Sequence, residues 1–228
     1  MSEAQTLAQQ PSPPVRFLIL ISGRGSNMQA IVQAIAARGL RAEVCAVLSN
    51  RADAAGLAWA RSRGIPVEVL PHRAYDSREA FDQALAQRID ELAPDYVLLA
   101  GFMRVLGADL VRRFEGRIIN IHPSLLPAFP GLHTHAQALA QGVQWHGCTV
   151  HFVTPVLDHG PIIAQGAIPV LPGDTADTLA QRLLALEHHM YAEVAAWLAD
   201  RRVAIGDDGL VRVDGVDRRA FTAHDLIS

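Results

Sequence analysis

Apolar positions follow two rhythms along this chain. Residues 15–21, Val-Arg-Phe-Leu-Ile-Leu-Ile, form a nearly continuous apolar run, the pattern of a strand covered on both faces. Ser22-Gly23-Arg24-Gly25-Ser26-Asn27 follows, and residues 28–38 then take helical spacing up to Gly39. The alternation continues with a strand over 43–48 and a helix over 52–63 that stops at Gly64. A short strand over 66–70, a helix over 77–92 with Ser77 as its N-cap, and a strand over 96–100 come next. Strands and helices joined by short loops predict an α/β fold with a doubly wound, mostly parallel sheet and right-handed crossovers.

Beyond residue 100 the rhythm changes. Residues 118–121 read as a strand that runs into His122-Pro123. The loop over 123–133 holds three prolines and one glycine, so it is irregular and stiff. A short helix is expected over 136–141. Strands over 148–154 and 161–170, separated by the turn Leu157-Asp158-His159-Gly160, are close enough in sequence to pair antiparallel. A long helix follows over 174–198, with Asp174 as cap and Leu179, Leu183, Leu186 and Met190 as its apolar stripe. A hairpin over 203–213, turning at Asp207-Asp208-Gly209, forms an antiparallel C-terminal extension. The expected organisation is a disordered tail over 1–14 and one domain over 15–228, its first half to about residue 100 and its second to about residue 200.

Composition narrows the classes. The 228 residues are 50% hydrophobic and 19% charged, which suits a globular chain with a sizeable core. A net charge of -3 argues against a nucleic-acid partner. No apolar run approaches the roughly 18 residues of a membrane helix, and residues 1–14 lack the apolar segment of a signal peptide. A cytoplasmic location is therefore expected. Cys45 and Cys148 stand apart in apolar segments and read as buried thiols.

Two stretches carry candidate chemistry. The glycine-rich loop over 22–27 lies between a first strand and a first helix, where free amides and the helix dipole favour an anion. A dinucleotide fingerprint needs glycine where Met28 stands, and a P-loop needs a lysine this loop lacks, so a phosphomonoester fits better. The same pattern also suits a tight turn that binds nothing. In the second stretch, Asn120 and His122 share one strand face at the end where open α/β sheets place ligands. Asn120 offers an amide to a developing oxyanion, and His122 a proton near neutral pH. Asp158, brought in from the later turn, favours the charged imidazole. Each residue also has an ordinary structural use, and the pairing of Asp158 with His122 is an inference about space. His133, His135, His146, His188 and His189 raise a metal alternative, but no cysteine pair or carboxylate-rich spacing accompanies them, and no metal is expected.

Taken together and in order, Gly25-Ser26-Asn27, Ala100-Gly101-Phe102-Met103-Arg104, Asn120-Ile121-His122-Pro123-Ser124-Leu125-Leu126-Pro127 and Leu157-Asp158-x-Gly160-Pro161 resemble the folate-dependent formyltransferases. The resemblance covers roughly residues 15–200 and implies a Rossmann-like formyltransferase fold. It implies catalytic roles for Asn120, His122 and Asp158, and phosphate binding by Gly25, Ser26 and Asn27. Folate contacts fall on Arg78, Met103, Arg104, Val105, Leu106 and Asn120, and Glu187 falls where the family holds the amine or ribose of the acceptor. Arg24 and His159 stand at positions that vary in the family. The branch that formylates initiator tRNA carries a further C-terminal domain and a basic surface. The hydrolytic deformylase carries an additional N-terminal domain. The short termini and Pro130-Gly131-Leu132-His133-Thr134-His135 favour the branch that moves a formyl group from 10-formyltetrahydrofolate to 5-phosphoribosylglycinamide. Deformylation of the folate is the alternative. Small-molecule substrates are the expected partners, and a homodimer is compatible with the sequence.

Overall fold

The computed structural model describes residues 13–226, so residues 1–12 of the expected tail lie outside the described residues. The first half alternates as the apolar runs predict: β1 (Val15–Ile21), α1 (Ser26–Arg38), β2 (Ala42–Ser49), α2 (Ala55–Ser62), β3 (Val67–Val69), α3 (Arg78–Leu92) and β4 (Tyr96–Leu99). A short helix α4 (Ala108–Arg113) then leads to β5 (Ile118–His122), α5 (Thr134–Ala140), β6 (Trp145–Phe152), β7 (Ile162–Pro169) and α6 (Ala176–Ala199). The chain closes with β8 (Val203–Ile205), β9 (Val211–Val213) and β10 (Ala220–Thr222).

Eight strands form one sheet in the order β10-β7-β6-β5-β4-β1-β2-β3. All neighbours are parallel except β5–β6 and β6–β7, which are antiparallel. β1 is buried on both faces because alternate side chains feed two cores. Phe17, Ile19 and Ile21 pack with α1, α2 and α6 on one face, while Leu18 and Leu20 pack with α3 and α4 on the other. The α6 stripe of Leu179, Leu183, Leu186 and Met190 is fully buried, each side chain contributing about 2 kcal/mol of apolar burial. Two glycines permit close packing here, Gly166 of β7 against α6 and Gly147 of β6 against the β7 backbone. A Cβ on Gly166 would come within 2.9 Å of Leu186, and one on Gly147 would sit 1.9 Å from the Gly166 carbonyl oxygen. Tyr191 of α6 is fully buried, and its hydroxyl lies 3.3 Å from Leu99 O and 3.1 Å from Ile119 O, tying the helix to the ends of β4 and β5.

The structure departs from the sequence expectations in five places. α6 is capped by Thr175, not Asp174; the Thr175 hydroxyl accepts from Thr178 N, while the Thr178 hydroxyl accepts from Thr175 N. Asp174 instead accepts from Leu171 N and from the Thr178 hydroxyl. The hairpin of β8 and β9 forms its own two-stranded sheet, and the main sheet is extended by β10, which runs parallel to β7. α4 is an element the periodicity did not predict. The second helix begins at Ala55 and not at residue 52, and α5 begins at Thr134, two residues before its expected start.

Strand order defines where a ligand can sit. The chain runs outward from β1 to β2 and β3, then returns to place β4 on the other side of β1. The loops after β1 and β4 therefore diverge, and a crevice opens at the carboxyl ends of these strands. Its floor is tied together: Ser22 N donates to Gly101 O at 3.1 Å, and Met103 N donates to the Ser22 hydroxyl at 2.8 Å. Among the described residues, no helix is long and apolar enough to cross a membrane.

Candidate active site

The loop after β1 enters α1 through Gly25, whose left-handed φ of 65° serves as the helix N-cap without a side-chain acceptor. The first amides of α1 thus have no internal cap, and the positive end of the helix dipole faces outward. α2 comes close behind the loop, with Gly56 N donating to Gly23 O at 3.0 Å. A Cβ at Gly56 would stand 2.6 Å from Ile21 and 3.0 Å from Arg24 O. The side chain of Asn27 is engaged away from the loop. Its amide nitrogen donates to Glu187 of α6 at 2.9 Å, across the helix interface.

The loop after β5, which starts directly behind Asn120 and His122 of that strand, is stitched at several points. Ser124 O accepts from the Thr149 hydroxyl at 2.7 Å, Leu126 O from Gln165 Nε2 at 2.8 Å, and Pro123 O from the Thr134 hydroxyl at 2.6 Å. The Leu126-Pro127 peptide is cis, and Phe129 takes a left-handed φ of 54°. The Phe129 carbonyl oxygen faces the strand end and lies 2.9 Å from His122 Nε2. A carbonyl only accepts, so Nε2 carries a proton.

The other ring nitrogen of His122, Nδ1, faces Asp158 Oδ2 at 3.5 Å, with both side chains almost wholly buried. Asp158 is held by a left-handed φ of 51° and by the Gly131 N–H, which donates to Oδ2 at 2.8 Å. Both nitrogens of His122 therefore look at oxygen acceptors, an arrangement that a doubly protonated ring satisfies on both sides. The structure thus brings together residues that the sequence separates by a strand pair and a turn.

His151 of β6 is a member of this cluster that sequence reasoning missed. It is directly opposite Asn120 in the antiparallel register. Its Nδ1 lies 2.9 Å from the Phe152 carbonyl oxygen and must be the donor there, which leaves Nε2 as an acceptor. Asn120 Nδ2 donates to that Nε2 at 3.3 Å, fixing which end of the carboxamide points where. Burial keeps the pKa of His151 below that of a free histidine, against the raising effects of the Phe152 bond and Asp158. Asp158 Oδ1 stands 3.9 Å from His151 Nε2, so the order Asn120, His151, Asp158, His122 is continuous in space.

The remaining candidates lie around this centre. Met103 and Val105, on the loop after β4, are exposed, as are Val156 and Leu157 on the loop that carries Asp158. Such apolar side chains on both site-bearing loops offer surface for a flat aromatic ligand. The guanidinium of Arg104 lies 4.4 Å above the Phe81 ring. The Gly107 N–H donates to Asp82 at 2.7 Å, pinning the end of the 103–107 segment. Arg78, the first residue of α3, is exposed beside a cavity of about 350 Å³ that Asp82, Gly107 and Arg113 also line. His135 and His146 bond each other at 3.0 Å, which accounts for two of the histidines considered as metal ligands. Among the described residues, no group of three His, Cys, Asp or Glu side chains could hold a metal ion.

A doubly wound sheet with an uncapped helix N-terminus after β1 and an Asn-His-Asp cluster after β5 is the architecture of a group-transfer enzyme, and the chain belongs to the formyl transferase family. The family profile, described as formyl transferase, matches residues 15–195. The phosphoribosylglycinamide formyltransferase of Escherichia coli (strain K12) is 49% identical over 194 residues, covering 85% of this chain and 92% of that protein. The trifunctional purine biosynthetic protein adenosine-3 of Drosophila pseudoobscura pseudoobscura is 46% identical over 208 residues, 89% of this chain but 15% of that protein. The solved structure of the phosphoribosylglycinamide formyltransferase of Coxiella burnetii superimposes with a TM-score of 0.84 at 46% identity, covering 91% of this chain and 99% of that one.

Proposed function

We propose that this protein transfers the formyl group of 10-formyltetrahydrofolate to the amine of 5-phosphoribosylglycinamide, a step of purine biosynthesis. The observation that carries the reading is His122, held between the Phe129 carbonyl and Asp158 at the end of β5, on the same sheet edge as an uncapped helix N-terminus. The identity to relatives named for this activity supports the choice of substrates.

In this reading the amides of Gly25, Ser26 and Asn27 receive the phosphate, and Glu187 receives the sugar or amine end of the acceptor. Arg78 and the segment Met103, Arg104, Val105 and Leu106 hold the folate. The acceptor amine attacks the formyl carbon, so a carbon–nitrogen bond forms and negative charge gathers on the formyl oxygen. Asn120 keeps one amide hydrogen for that oxygen, because its other is committed to His151. His122 supplies positive charge beside it. Nδ1 is the nitrogen available for proton exchange, since Phe129 holds Nε2. The Nδ1 proton of His122 passes to the departing folate nitrogen as the old carbon–nitrogen bond breaks, and the proton lost by the amine returns to Nδ1 by way of Asp158, restoring the charged ring. We place the protein in the cytoplasm.

The test is a spectrophotometric assay of folate deformylation with and without phosphoribosylglycinamide. The reading requires turnover that depends on the acceptor. Loss of the formyl group at the same rate without acceptor would make the protein a deformylase instead.

A further inference from the structure

Glu187 is a carboxylate in the middle of a helix stripe otherwise made of Leu179, Leu183, Leu186 and Met190. It is only 8% exposed, and burial pushes its pKa up. Its hydrogen bond comes from the side chain of Asn27, in the first turn of α1, and this bond works against the effect of burial. Asn27 is itself 7% exposed, and its carboxamide oxygen is buried with no partner. A buried acceptor left unpaired in this way costs stability and calls for an explanation.

We propose that the side chain of Asn27 is a positioning residue for Glu187, locking that carboxylate under the phosphate loop so that loop and carboxylate recognise the acceptor as one rigid unit. The inference rests on the reading of the acceptor as a phosphoribosylated amine. Asn27 is suited to the task because its main chain belongs to the anion-facing turn while its short side chain reaches across to α6. A side chain that donates to Glu187 is not aimed at the phosphate, so the two ends of one residue serve two parts of the substrate. Cys148 of β6 is the titratable group that faces Glu187 from the sheet, and burial pushes its thiol well above the usual range, so it stays neutral.

The experiment compares Asn27→Ala, Glu187→Gln and the double variant with wild type. Asn27→Ala is expected to raise KM for phosphoribosylglycinamide by about ten- to a hundredfold, the weight of a charge-assisted bond. KM for the formyl folate is expected to change by less than about twofold, as is Ki for inorganic phosphate, which meets only the loop amides. On the Glu187→Gln background, the same change is expected to add less than about threefold. Additive effects, or a phosphate Ki that rises in step with KM, would overturn the proposal. A carbon-13 NMR titration of Glu187 supplies a readout independent of turnover. Its midpoint moves upward in Asn27→Ala, because the bond that lowers it is gone; an unmoved midpoint refutes the positioning role. Wild-type protein that fails to turn over phosphoribosylglycinamide would sink the substrate reading, and the NMR arm would still decide the role of Asn27.

Discussion

Replacing Asp158 with Asn isolates the charge that the account places beside His122. The substitution preserves shape, and the new amide oxygen can still accept from the Gly131 N–H that Asp158 now binds at 2.8 Å. The negative charge 3.5 Å from Nδ1 is removed. With an effective dielectric near 20, two unit charges at that separation interact by about 4 to 5 kcal/mol, a ceiling for what the transition state loses. Partial charge development and the residual dipole of Asn reduce this to about 3 to 4 kcal/mol, or on the order of 100- to 1000-fold in kcat. KM for either substrate should stay within about threefold, because the carboxylate is assigned to the reacting centre and not to ground-state binding. Steady-state kinetics with both substrates varied gives the two parameters. Urea unfolding provides the control, with a midpoint expected within about 0.5 kcal/mol of wild type. A variant that keeps kcat within about threefold of wild type refutes the argument. So would a variant whose loss of rate merely follows a loss of folded protein.

Three further outcomes follow from other contacts. Tyr191→Phe leaves the carbonyls of Leu99 and Ile119 without their hydroxyl partner inside the core, and urea unfolding should show a loss of about 1 to 3 kcal/mol. Gly160→Ala places a Cβ 1.7 Å from the Phe152 carbonyl oxygen, the atom that orients His151, so the Asp158 turn must move; kcat should fall at least about tenfold with the fold retained by circular dichroism. Burial drives His146 down to about 4, with His135 and His122 adding to the effect, so the native state favours the neutral ring. That stability is whole above the unfolded value near 6.5 and is lost as pH falls towards 4; after allowance for solvent screening it amounts to about 2 kcal/mol. Urea unfolding at successive pH values should show this slope in wild type and a shallower one in His146→Gln. Equal slopes would contradict it.

The sequence made the first half of the fold legible because its strands are covered on both faces. A run such as Phe17-Leu18-Ile19-Leu20-Ile21 has no other comfortable environment. Asn120 and His122 were legible for a related reason, since a period of two on a strand puts them on one face. His151 was not. It lies within an apolar strand, and its partnership with Asn120 depends on the antiparallel register of β5 and β6, which no local pattern announces. The cap of α6 was misread because Asp174 and Thr175 are both good caps, and the choice was made by the Thr178 side chain reaching back to Thr175 N. β10 escaped because three residues, Ala220–Thr222, carry too short a pattern, and their place beside β7 is set by tertiary packing. The second role of Asn27 was hidden because its partner, Glu187, lies far along the chain on another helix.

The central claim is that the formyl group passes from the folate to an amine and not to water. Incubation with a formyl folate labelled with carbon-13 at the formyl carbon, together with phosphoribosylglycinamide, allows the label to be followed by NMR. The account predicts that the label appears in formylglycinamide ribonucleotide in step with tetrahydrofolate, with formate negligible. Label accumulating as formate while the amine stays unmodified would contradict it.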